Sequence, residues 1–474
     1  MPDHRSQTTG GRRRVAEYLY GADHPGKLVV SAGVRMLVAV LAAGLYQAAR
    51  AGQSDLLSYE EASAALYDVS DMLKASEAAV NRSKDEARAA ETLGLPGVFA
   101  NTTEIFGEKT GTIDRTPLGN IHFSDNLRGP RASVNATWSI YSGGRITATQ
   151  RALAAGIDAA HAELSHTEED LDVLLATEYF GLELAANIEH TRSSVLEQTD
   201  RQLNRAIRFE EQGLIPHVER LSAQVSRDEA ARDQVSAQRD REIAEASLRR
   251  LLHRDTPLST ATPLFISTRP LKPLEQWLAE AERRSPALAA LAAKRGQAEQ
   301  GLAVEQARWK PQIFAFGSYN MIKKYQSLIE PDWIAGVGIN LTLFSPEDRA
   351  SKVSSARETV RQAESLQAAA GTSIATEVEA AFRKVEQARE QFNLLDSTLA
   401  LADESLRLRE RGFEEAQATS LDINDARNAL ARSKTARALA AYDYVIALVQ
   451  LLHATGQTKA LPEFIHQADT YLPE

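Results

Sequence analysis

Two aspartates in the run LDINDARNAL, Asp422 and Asp425, have the residue type and spacing to do chemistry. Three positions apart on a helix, they share a face. Two readings stand at this point. Acids just inside a helix N-terminus suit the positive end of its dipole. Alternatively, in an assembly with a three-fold axis each aspartate becomes a ring, and two stacked carboxylate rings attract cations and repel anions in a narrow throat. Neither reading is catalytic. The ten histidines are scattered, and His161 and His166, five apart, are poorly spaced to share a metal on one helix face. No P-loop, glycine fingerprint or nucleophile elbow stands out, so the sequence points to no enzyme, metal or cofactor.

The elements that must carry these acids are long. From Arg145 no proline or glycine cluster intervenes until Gln212-Gly213-Leu214-Ile215-Pro216, a run that as one helix reaches about 100 Å. A second run extends from Glu347 to about Gln417, and each turns back on a shorter helix, opened by Pro216 or capped by Ser420 and ending near His253 or Gly456. Before each long helix the pattern alternates. Val134, Ala136, Trp138 and Ile140 fall on every second position before Gly143 and Gly144, and Trp333, Ala335, Val337, Ile339, Leu341 and Leu343 repeat the pattern before Phe344-Ser345. The same unit appears twice: Leu56, Ser70 and Pro96 align with Leu271, Ser285 and Pro311 at a constant offset. In each half a helix from Glu60 or Glu275 is expected to run toward the proline. A strand follows, Val98 to Phe106 or Gln312 to Asn320, then a polar loop, then the alternating strand.

Composition limits the partners. The formal net charge is −10 with both signs interspersed, and Arg12-Arg13-Arg14 forms the one basic cluster, so no nucleic acid is expected. Cysteine is absent, which removes disulfides, thiolate sites and a lipidated N-terminal cysteine. Arg35, the apolar stretch Met36 to Leu45 and Ala49-Arg50-Ala51 read as an export signal with an extended basic leader, residues 1–51.

Strand length and alternation fit an outer-membrane barrel as well as a soluble antiparallel sheet. If the strands meet lipid, Val134, Trp138, Ile140, Trp333, Val337, Ile339, Leu341 and Leu343 are the lipid-facing candidates. Four strands cannot close a barrel, and open edges in hydrocarbon leave backbone groups unsatisfied. Other copies must complete it, three chains supplying twelve strands.

Taken together, the two opening helices, the proline entries to the strands, the YSGG switch and the tip passages QGLIPHVERLSAQ and EAQATSLDINDARNAL make the chain resemble the TolC-family outer-membrane efflux and secretion proteins. The resemblance implies a mainly α fold with a small transmembrane β part, a TolC-like channel-tunnel that closes only as a homotrimer. It also implies a periplasmic adaptor (membrane fusion protein) and an inner-membrane pump, of the ABC transporter type, as partners. The parts would be a first repeat at 52–255, a linker at 256–273, a second repeat at 274–456 and a tail at 457–474. The family's two entrance acids match Asp422 and Asp425, which the resemblance makes cation-selective aperture rings. Glu219 matches an acid of the entrance latch. Ala418 replaces the family's arginine and Phe413 its tyrosine, leaving Arg220 and Arg411 as substitutes. Gly213, Leu214, Ile215, Thr419 and Ser420 are the adaptor-contacting tips that the resemblance implies; the first matches the family at Gln212-Gly213-Leu214, and the second departs from it, since Ala416-Gln417-Ala418 lacks the second glycine. Length and leader resemble members serving type I secretion of a protein toxin. A multidrug or small-molecule efflux duct, or a periplasmic adaptor, is the alternative.

Overall fold

The structure is a computed structural model that describes residues 55–472 apart from 118, 127, 325, 327–329 and 416. The export signal expected over 1–51 and Ala416 of the second tip lie outside the described residues.

Each half opens with two helices where one was expected. α1 (Tyr59–Val69) and α2 (Asp71–Glu91) meet at Ser70, and α5 (Leu274–Arg284) and α6 (Pro286–Ala307) meet at Ser285. The two serines sit at the same offset and take nearly the same backbone, φ −59° ψ 119° and φ −58° ψ 119°. Ser70 Oγ accepts from Leu73 N and so starts the second helix, while Pro286 opens its counterpart, where a missing N–H costs nothing. Ser58 and Glu61 cap α1 reciprocally.

The strands form one antiparallel sheet in the order β2 (Gly97–Ile105), β5 (Gly129–Tyr141), β8 (Gln312–Asn320), β9 (Trp333–Asn340). Its register sorts the residues by face. Ala100, Val134, Tyr319 and Trp333 form one cross-strand row, Val98, Ala136, Gly317 and Ala335 the next, then Trp138, Ala315 and Val337. These three rows are apolar, and toward the end of β2 the same face turns polar at Thr102 and Glu104. The other carries Asn101, Ser133, Asn135, Thr137 and Ser318. On it Phe314 and Phe316 lie over their partners Gly338 and Gly336, where an added Cβ would meet the rings at 2.6 and 3.0 Å.

Three details differ from expectation. The polar loop of the first half contains a hairpin, β3 (Glu108–Thr116) with β4 (Gly119–Asn126), turned at Gly119 with φ +95°. β9 ends at Asn340, so Leu341 and Leu343 lie beyond the strand, although both are exposed. A bulge between Ser139 and Tyr141 takes Ile140 out of the regular alternation.

From the sheet the chain passes directly into helices. Gly143 and Gly144 have φ +69° and +92°, conformations open to glycine, and Ser142 Oγ accepts from Ile146 N to start α3 (Arg145–Glu211). α3 has 67 residues and its counterpart α7 (Arg349–Glu414) has 66; α7 is started by Asp348, whose carboxylate accepts from Ala350 N and Ser351 N. The returning helices α4 (His217–Leu251) and α8 (Ser420–Ala454) have 35 residues each.

The main core binds both halves midway along these helices. Tyr59 stacks on Phe180, Phe265 meets Phe180 and Tyr444 edge-on, and Trp277, Leu448 and Leu452 close the cluster. Full burial of such side chains contributes about 1.5–3 kcal/mol each. Tyr179 Oη, buried here, donates to Leu57 O (2.6 Å) and accepts from Ala261 N and Thr262 N (3.1 and 2.9 Å). The segment 256–273 is thus tied into the core, with Leu258, Leu264, Phe265 and Ile266 buried. Within it β6 (Leu258–Thr260) and β7 (Phe265–Ile266) form, and β7 pairs with β10 (Thr470–Tyr471) after α9 (Leu461–Gln467).

Candidate functional site at the helical tips

A second, smaller core lies near the tips. Phe413, Leu406, Ile423 and Leu430 are buried together, with Phe209 against them. The rings of Phe209 and Phe413 stack at 6.4 Å and 17°, joining the ends of α3 and α7. Phe413 therefore acts by packing, and the hydroxyl that a tyrosine would bring has no counterpart in it.

The first tip closes on itself. Gly213, at φ +70°, lets Leu214 N reach Phe209 O at 2.8 Å. Glu210 accepts from Arg220 (Nε–Oε2 2.6 Å) and pairs with His217 Nδ1 at 2.5 Å, and the His217 hydrogen bond, with Arg220 beside it, holds the Glu210 carboxyl below its usual range. Arg220 is thus engaged within its own hairpin. Gly213 and Leu214 are exposed and Ile215 is half-buried.

At the second tip Thr419, one residue earlier than expected, caps α8. Its side chain accepts from Asp422 N at 3.2 Å, and Asp422 Oδ2 accepts from Thr419 N and Oγ at 2.9 and 2.7 Å. Arg409 Nη1 approaches Asp422 Oδ1 to 3.2 Å. The Thr419 backbone N–H first, then its hydroxyl and Arg409, hold the Asp422 carboxyl below the ordinary aspartate range. Asp425, one turn on, is exposed. Thr419 is exposed as well, whereas Ser420 is fully buried and faces inward. Arg411 lies in the last turn of α7, where a cation suits the helix dipole, and adds to the field on Glu404, a carboxylate bound chiefly by Arg407.

The two hairpins are joined by a ladder of polar contacts. Glu219 Oε2 accepts from Ser420 N at 3.1 Å, so the acid of the first hairpin supplies an acceptor at the start of α8. Deeper in, Asn424 Nδ2 donates to Ser226 Oγ at 2.5 Å. Arg427, its side chain only 3% exposed, donates through Nε to Gln198 Oε1 at 3.1 Å and approaches Glu410 at 3.4 Å, and burial draws its pKa down. Sequence reasoning identified Glu219 but missed Arg409, Asn424 and Arg427. For Asn424 and Arg427 the signal was their place on the face of α8 that also carries Ile423 and Leu430 to the core, whereas Arg409 lies on α7.

The chain as a whole is similar to known proteins. The family described as outer membrane efflux protein matches residues 68–253 and 277–457. Protein CyaE of Bordetella pertussis is 25% identical over 292 residues, covering 59% of this chain and 60% of that protein. The fold is similar to that of the outer membrane protein VceC from Vibrio cholerae, with a TM-score of 0.70, 14% identity and 84% of this chain and 96% of that chain covered. The open state of the Neisseria gonorrhoeae MtrE outer membrane channel gives 0.69, 18%, 84% and 89%.

Proposed function

The chain belongs to the outer membrane efflux protein family, placed in the bacterial outer membrane and extending into the periplasm, and on that premise we propose that three copies form an exit duct. The observation that carries this is the open sheet: three successive apolar rows on one face, edges at β2 and β9, and strands β5 and β9 that lead within a short stretch into helices of 67 and 66 residues. Lipid accepts such a sheet only when its edges are paired, and joining β9 of one copy to β2 of the next closes twelve strands. The helices continue the barrel as a tube, with Asp422 and Asp425 ringing its periplasmic end.

Exported material enters from an inner-membrane pump through a periplasmic adaptor that touches the exposed tips at Gly213, Leu214 and Thr419. Type I secretion of a protein toxin, driven by an ABC transporter, is the reading that length and the basic leader favour. Multidrug or small-molecule efflux through the same duct is the second. Chemical cross-linking of isolated outer membranes tests the duct: a ladder ending at three copies is expected, and a monomer or dimer endpoint would overturn it. A deletion strain separates the two cargo readings, through loss of a secreted polypeptide or gain of drug sensitivity.

A further inference from the structure

We propose that His166, Asp170 and His453 form a binding site for a divalent transition cation of the zinc class, clamping α3 to the C-terminal turn of α8. His166 and Asp170 are one helical turn apart, and His453 reaches Asp170 from 283 residues further along the chain. Asp170 Oδ1 lies 2.9 Å from His453 Nε2 and 3.8 Å from His166 Nδ1. One ligand atom from each residue lies within 4.8 Å of the other two, and the imidazole rings stand 5.7 Å apart, tilted by 36°. Donors around tetrahedral zinc, at about 2.0–2.2 Å from the metal, are about 3.3 Å from one another. Small side-chain rotations supply that difference.

The surroundings hold the three groups in place. Glu168 is paired with Lys459, Glu169 accepts from Thr458 N, and Asp172 accepts from Thr458 Oγ1 and Tyr67 Oη. These bonds fix α3 against the chain that follows α8 and leave Asp170 to the imidazoles. They also surround the site with carboxylates, which favours a cation. His166, Asp170 and His453 are 37%, 50% and 27% exposed, so an ion can enter and keep water in a fourth position. Two imidazole nitrogens select a borderline transition metal over calcium or magnesium, which prefer all-oxygen sets.

The test is calorimetric titration of Zn2+ into the full-length, metal-stripped protein in detergent, produced without a histidine tag, alongside His166→Gln, His453→Gln and the double variant. Saturable binding of one ion per chain is expected, weakened by about tenfold or more in each single variant and lost in the double; Ca2+ should give no saturable heat. Absence of saturable Zn2+ binding, or equal binding by a double variant with native circular dichroism, would overturn the site. Should His453→Gln fail to fold, the half-exposed His166→Gln carries the same comparison.

Discussion

Arg409 Nη1 stands 3.2 Å from Oδ1 of Asp422, pairing the end of α7 with the first turn of α8 inside one hairpin. Position 418, where the resemblance implies an arginine, is Ala418 here, and the cation that meets Asp422 is Arg409, thirteen residues before it. Within the chain Asp422 has this cation beside it and Asp425 is exposed, so in the duct proposed above the two rings would differ in effective charge.

Replacing Arg409 by Gln should therefore strengthen cation preference. It removes one positive charge per copy beside the ring and leaves the Thr419 cap on Asp422 intact. Reversal potentials under a salt gradient read the change, and a shift toward anions would contradict the pairing.

Glu219→Ala should loosen the tip. Ser420 N loses its acceptor, at a cost of about 1 kcal/mol, and one of the contacts between hairpins disappears. More frequent opening of the reconstituted channel is expected, with unchanged circular dichroism.

Acid should spare Asp422 longer than an ordinary aspartate. Its carboxyl is lowered by Thr419 and Arg409, so its stabilising contribution is fully present above about pH 3.9 and is lost only as pH falls through the lower folded-state value. In an Asp425→Asn background, cation preference should survive below about pH 3.9. Thr419→Ala should move its loss upward in pH.

The two switch glycines should respond differently to alanine. At Gly143 a Cβ would meet Ala307 O at 2.8 Å and Lys310 Cβ at 2.9 Å, in addition to the strain of φ +69°. At Gly144 nothing lies within 4 Å, which leaves the strain alone, about 1–2 kcal/mol. Thermal unfolding should rank Gly143→Ala well below Gly144→Ala.

Much of the fold was legible in sequence because its signals are local. Alternation around Trp138 and Trp333, the Gly143-Gly144 switch and the uninterrupted runs after Arg145 and Glu347 each act within a few residues. Misreadings arose where two local signals competed. Both openings were read as single helices, although Pro286 marks the break at Ser285; Ser70 has no proline to mark its own. The polar residues between Gly107 and Gly129 carry no sustained alternation, and so hid a hairpin. At the tips the acids were legible and the contacts around them were not: Arg409 at Asp422, Ser226 at Asn424 and Gln198 at Arg427 come from other helices, and no spacing within α8 announces them. His453 escaped notice for the same reason.

Single-channel recording in planar bilayers tests the central claim most directly, comparing the wild type with Asp422→Asn/Asp425→Asn. Asn at 422 keeps a cap oxygen, so the double variant should fold, and loss of charge should weaken cation preference and raise conductance. Absence of conductance steps in the wild type, or unchanged ion selectivity in a folded double variant, would contradict a duct selected by carboxylate rings.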